Sequence, residues 1–184
     1  ATAIGISAVL AMLAYIASFN DIFTKEIKRR RMKHRIDTIK DHYIVCGLGR
    51  VGKQVAKELA NEGEPFVVIE KDDAKLKLAK DNNWAYLVGD VALDETLLEK
   101  SHINTAKAII IAVGTDADVI FMAISARALR PDIFIVARAS SIEAADKLSK
   151  IGVNRVALPY QIGGYHMATM ALRPMVVDFL DLLI

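Results

Sequence analysis

Three glycines, in the run Gly47-Leu48-Gly49-Arg50-Val51-Gly52, join an apolar segment at residues 43–46 to a segment of helical period at residues 51–62. Each glycine answers a separate steric demand. Gly47 lets the chain turn sharply out of a strand. Gly49 lets an anionic group approach the backbone. Gly52 lets the following helix pack close to the strand it leaves. Such a turn presents the free amides and the positive dipole end of a helix to a phosphate. The acid Glu70 comes 18 residues after Gly52, at the end of a second apolar run, which is the spacing of an acid that accepts ribose hydroxyls. A plain surface acid at a strand end is the other reading of Glu70. As a ribose acid it would also repel a 2′-phosphate, which disfavours NADP.

The rest of the chain repeats this alternation. Apolar runs at residues 43–46, 66–69, 85–88, 108–112, 134–137 and 155–158 read as strands. Segments at 51–62, 73–82, 95–100, 118–129 and 142–151 read as helices. Strands alternating with helices form a parallel sheet covered on both faces. The expected fold is therefore α/β, a Rossmann-like doubly wound parallel sheet of six strands in the order 3-2-1-4-5-6.

Ligands in such sheets bind beyond the carboxyl ends of the strands. Asp90 falls there after the third strand, and Thr115, Asp116 and Asp118 after the fourth. Helix capping is the competing role for these residues, and the favoured one for Thr115 and Asp116. For Arg50 two readings stand, reaching a phosphate from the loop or facing water. Cys46 and Trp84 are expected in the core, and Met167 and Met170 are expected to pack.

Residues 1–23 have a different character. The first nineteen carry no charge, and as a helix they would span roughly 28 Å at about 1.5 Å per residue, close to the hydrocarbon core of about 30 Å. A membrane-spanning helix is expected here, incomplete at its start. Residues 24–40 hold eight Lys/Arg against two acids, a net +6, which leaves the remainder at −4 of the overall +2. Positive charge after the apolar run places the chain from Lys25 onward in the cytoplasm. Because the basic charge is local, it does not describe a nucleic-acid-binding surface. A single cysteine excludes an intrachain disulfide and a cysteine-based zinc site.

The stretches "DHYIVCGLGRVGKQVAKEL", "FVVIEKD", "GDVALDETLLEKSHI" and "IVARASS", behind a spanning helix and a basic stretch, resemble the RCK (KTN, TrkA-N-like) regulatory domain of prokaryotic potassium channels. The resemblance implies four parts: an inner pore helix at 1–23, a basic linker at 24–41, a nucleotide-binding N-lobe at 42–158, and at 159–184 a crossover helix with the start of a missing C-lobe. It implies a site built from Gly47, Leu48, Gly49, Arg50, Val51, Gly52, Glu70, Lys71, Asp90, Val91 and Arg138. The ligand it implies is NAD(H), with ATP, ADP or AMP as alternatives. Calcium belongs to some members, but Ala137-Arg138-Ala139-Ser140 supplies no acid where those members have one, and Asp90 alone is too few oxygens. No metal ligands are assigned.

The implied partners are a nucleotide, the membrane and further copies of the chain, as a dimer of domains, a tetrameric channel or an octameric ring. The implied location is a prokaryotic inner membrane with the domain in the cytoplasm. The expected function is ligand-sensing control of a potassium channel through the basic linker. The alternative is the same role in a potassium/proton antiporter or other cation transporter. A membrane-anchored NAD-dependent oxidoreductase is the third reading. Against it, the sequence has no room for a substrate domain after the nucleotide domain, and His34, His42, His102 and His166 form no acid–base constellation, so no enzyme is expected.

Overall fold

A computed structural model describes Ile27 and residues 30–173 and divides the chain into two units, residues 1–38 and 39–184. In the first unit, Ile27 and residues 30–37 are helical. The spanning helix expected at 1–23 and the chain beyond residue 173 lie outside the described residues. Among the described residues no helix is long and apolar enough to cross a membrane.

The second unit runs β1 (Tyr43–Cys46), α1 (Arg50–Asn61), β2 (Phe66–Glu70), α2 (Asp73–Asp81), β3 (Ala85–Val88), α3 (Thr96–Lys100), β4 (Ala108–Ile111), α4 (Asp116–Leu129), β5 (Phe134–Arg138), α5 (Ile142–Lys150), β6 (Arg155–Ala157) and α6 (Pro159–Leu172). All strand pairs are parallel, in the order β3-β2-β1-β4-β5-β6, as the alternation predicts. Sequence reading missed a short 3-10 turn at Ile103–Thr105, which comes after His102 in the left-handed region at φ +57°. β2 and β5 each run one residue further than their apolar runs, to Glu70 and Arg138.

β1 is central, with Val45 in register with Val68 on one side and Ile110 on the other. Successive strand residues point to opposite faces, and the core divides accordingly. Val45 and Val68 pack with Ala56 of α1 and with Leu76 and Ala79 of α2. Ile44, Cys46, Ile109 and Ile111 pack with Leu97 and Leu98 of α3, Met122 of α4 and Leu148 of α5. Each fully buried aliphatic side chain contributes about 1.5–3 kcal/mol. Trp84 is half-buried against the first face, its ring edge-on to Phe66 at 5.3 Å. Burial pushes the Cys46 thiol far above its ordinary range, consistent with an inert core residue.

Arg127 ties down the edge of the sheet where the strands begin. Its Nη1 donates to the carbonyls of Pro131 (2.5 Å) and Ile133 (2.9 Å), and its Nη2 to the carbonyl of Gly152 (2.6 Å). Arg130 Nη1 donates to the carbonyls of Ile103 (2.9 Å) and Ala106 (2.5 Å). Carbonyls that no strand partner reaches are thus satisfied.

His42, just before β1, is fully buried. Its Nε2 bonds the Ser101 carbonyl at 2.8 Å, and its Nδ1 has no partner. Desolvation holds its pKa below 6.5. The folded chain therefore favours neutral imidazole. The stability this confers is complete above pH 6.5 and is lost as pH falls toward the lowered folded value, because only the unfolded chain takes up the proton there. Below about pH 6.5 each unit should remove up to about 1.4 kcal/mol. Urea midpoints of wild type and His42→Gln between pH 7.5 and 5.5 check this; parallel pH dependences would refute it.

No described residue of α6 is buried. Among the described residues neither Met167, at 72% exposure, nor Met170, at 44%, is buried, contrary to the packing expected of them. Helical spacing of apolar residues marks a face suited to burial but does not say which chain buries it.

Candidate functional site

The cavity lies at the carboxyl ends of β1, β2, β4 and β5, where the order of the strands reverses. It has a volume of about 500 Å³, within the range of small-molecule sites. Gly47, Gly49 and Arg50 form one wall, Glu70, Lys71 and Asp90 a second, and Gly114, Asp118 and Arg138 a third.

The glycine loop is shaped by close contacts. Gly47 has φ +92°, and a Cβ there would stand 3.1 Å from the Ala112 carbonyl oxygen. Its amide donates to the Ile69 carbonyl at 2.8 Å. A Cβ on Gly52 would run into the Gly47 carbonyl oxygen, so α1 sits directly beneath the loop. Gly49 differs from both, since a Cβ there would meet nothing within 4 Å. It is the N-cap of α1, and no side chain caps that helix. Open space above an uncapped helix start is the geometry of an anion site.

Glu70 is 6% exposed. Its Oε2 accepts the Leu48 amide at 2.6 Å and its Oε1 the Asp72 amide at 2.9 Å. It therefore braces the glycine loop as well as lining the cavity, and the surface-acid reading falls. Lys71 Nζ donates to Asp90 Oδ2 at 2.8 Å, and Asp90 Oδ1 accepts the Ala92 amide. The Lys71 bond holds the Asp90 carboxyl below the usual carboxylate range. Val51 and Val91 line the cavity, whereas Leu48 and Gly52 do not. Leu48 packs into the core and offers only its backbone, and Gly52 lies under the loop.

Beyond β4, Thr115 caps α4, accepting the Asp118 amide at 3.1 Å, as expected. Asp116 instead accepts from the amide (3.0 Å) and the hydroxyl of Ser140, joining the loops after β4 and β5. Arg138 Nη2 donates to the Gly114 carbonyl at 2.6 Å, and its Nε has no partner. Arg50 neither stands free in water nor points unassisted into the cavity. Its Nη2 donates to the Tyr160 hydroxyl at 2.5 Å, and its guanidinium lies 5.5 Å from the centre of that ring. Sequence reading missed Tyr160, which lies 110 residues from Arg50, with no motif linking them. Among the described residues no cluster of His, Cys, Asp and Glu is placed to hold a metal ion.

A reversed parallel sheet with a glycine-cornered cavity at its carboxyl edge defines a Rossmann-like domain. The TrkA-N domain model matches residues 43–159, and the chain belongs to that family. Over 183 residues the chain is 39% identical to the probable potassium channel protein 2 of Methanocaldococcus jannaschii, covering 97% of this chain and 53% of that protein. Potassium channel protein 1 of the same organism is 40% identical over 184 residues, covering 98% and 55%. The chain thus spans about half the length of these relatives. A crystal structure of GsuK bound to ADP superposes with a TM-score of 0.64 at 28% identity, covering 80% of this chain and 38% of that one.

Proposed function

We propose that this chain is the cytoplasmic nucleotide-sensing part of a potassium channel, coupled to the pore through the basic segment at residues 24–40. Its relatives at 39–40% identity are potassium channel proteins, and GsuK, with the same fold, has been crystallised with ADP. The observation that carries the reading is the open space at Gly49 above the uncapped start of α1.

A diphosphate would lie at the α1 N-terminus. Each Glu70 oxygen accepts one amide and keeps a second lone pair for a ribose hydroxyl. Asp90 and Val91 would flank the base. Arg138, with an unpartnered Nε, would meet the far end of a longer ligand, which favours NAD(H) over a mononucleotide. No histidine lines the cavity, and the reading assigns regulation, not turnover. Further copies of the chain in the membrane-bound assembly would cover the exposed apolar residues of α6.

A ligand moves a gate only by its difference in affinity between the closed and open states. A full shift takes about 5.5 kcal/mol. Four sites, each coupled by on the order of 1 kcal/mol, supply most of it.

The test is potassium flux through the reconstituted full-length protein during titration with NAD⁺, NADH, ATP, ADP and AMP, with binding measured by calorimetry on the same samples. Wild type should bind at least one and change its flux, and Gly49→Asp should lose both responses. A Gly49→Asp protein with unaltered response would place the sensor elsewhere.

A further inference from the structure

Arg50 is the first residue of α1, where the positive end of the helix dipole disfavours a cation. Its place there is held by one residue. The Tyr160 hydroxyl accepts from Nη2 at 2.5 Å, and the ring lies beneath the guanidinium at 5.5 Å. Both residues line the cavity. Tyr160 stands in the first turn of α6, immediately after Pro159, whose ring fixes the backbone at the helix start. The contact therefore joins the phosphate end of the cavity to the start of the exposed apolar helix. A guanidinium has five N–H donors, and among the described residues Arg50 makes no other hydrogen bond, so the remaining donors are available to an anion.

We infer that Tyr160 is a positioning residue of this site: its hydroxyl holds the Arg50 guanidinium beside the glycine loop to receive a ligand phosphate, and the same bond makes phosphate occupancy felt at the start of α6. The inference rests on the nucleotide reading of the cavity. A long side chain fixed before binding loses less freedom when the phosphate arrives. Charge-assisted hydrogen bonds are the stronger class, so a phosphate held by Arg50 stiffens the guanidinium and with it the Tyr160 hydroxyl. Adenosine has the base and the ribose but no phosphate, and it should not engage Arg50 at all.

The experiment compares ADP with adenosine on the full-length protein, for wild type, Tyr160→Phe, Arg50→Ala and the double variant. Tyr160→Phe keeps the ring and removes only the hydroxyl, so the fold is preserved. ADP affinity should fall about three- to ten-fold in Tyr160→Phe and about ten-fold or more in Arg50→Ala, with adenosine affinity unchanged in both. The double variant should match Arg50→Ala within about two-fold, since the tyrosine acts through the arginine. ADP, and not adenosine, should slow amide hydrogen exchange in the first turn of α6, and Tyr160→Phe should remove that protection. Equal losses for ADP and adenosine would make Tyr160 a mere wall of the cavity and overturn the inference. So would an unchanged ADP affinity, or a further loss in the Arg50→Ala background. Wild type that binds adenosine and ADP equally would also overturn it. Wild type that binds neither would instead remove the nucleotide reading on which it rests.

Discussion

Gly52→Ala should lower the thermal midpoint by about 10 °C or more, from a destabilisation of about 3 kcal/mol or more. The added Cβ would occupy the place of the Gly47 carbonyl oxygen. That atom belongs to the backbone, so no side chain can swing aside, and either α1 or the loop must move. The Gly47 amide and the Ala112 amide both bond the neighbouring strands there, to Ile69 and Cys46, so a displaced loop strains the centre of the sheet. Gly49→Ala is the control. Its Cβ meets open space and its φ is −68°, a conformation any residue adopts. It should leave the midpoint within about 1 °C while weakening ligands that carry phosphate. Calorimetric scanning of the two variants reads the difference, and equal midpoints would refute the account of the loop.

Glu70→Ala should cost about 2–5 kcal/mol, because two amides lose their acceptor and one of them, on Leu48, is buried. Glu70→Gln separates shape from charge. It keeps the volume but turns one oxygen into a donor facing another donor, so it should recover little of the loss. Urea unfolding gives the magnitudes, and a Glu70→Gln variant as stable as wild type would show that the carboxylate does not brace the loop. Nucleotide affinity in Glu70→Ala should fall along with stability. The measurement should therefore be made well below the variant's midpoint, where unfolding does not imitate lost binding.

The fold was largely legible because buried parallel strands leave a plain mark in sequence. Runs such as Tyr43–Cys46 and Ala108–Ile111 are apolar throughout, since both faces of the sheet are covered. The glycine spacing was legible because each position carries its own steric demand, and the demands at Gly47 and Gly52 are met by close backbone contacts. What pairs with what across the cavity was hidden. Glu70 could be placed at a strand end by spacing, but its bond to the Leu48 amide depends on the side chain turning back beneath the loop. Arg50 could be placed at the helix start, but nothing local announces Tyr160. The 3-10 turn at Ile103–Thr105 was hidden as well, because a three-residue helix has no period to read. Met167 and Met170 were misjudged for a different reason: apolar spacing records the need for a covering surface, and the described residues do not bury them.

The two faces of the sheet also differ in when a growing chain can complete them. The core around Val45, Ala56, Val68 and Leu76 draws its buried members from residues 45–79, so it can close while later strands are still unmade. The opposite core needs residues as late as Val153. The Glu70 brace spans 22 positions of sequence, whereas the tyrosine partner of Arg50 trails it by 110, roughly 5 to 20 seconds at ordinary rates of translation. The residues that shape the glycine loop, as late as Ala112, therefore leave the ribosome before the helix start that holds Arg50.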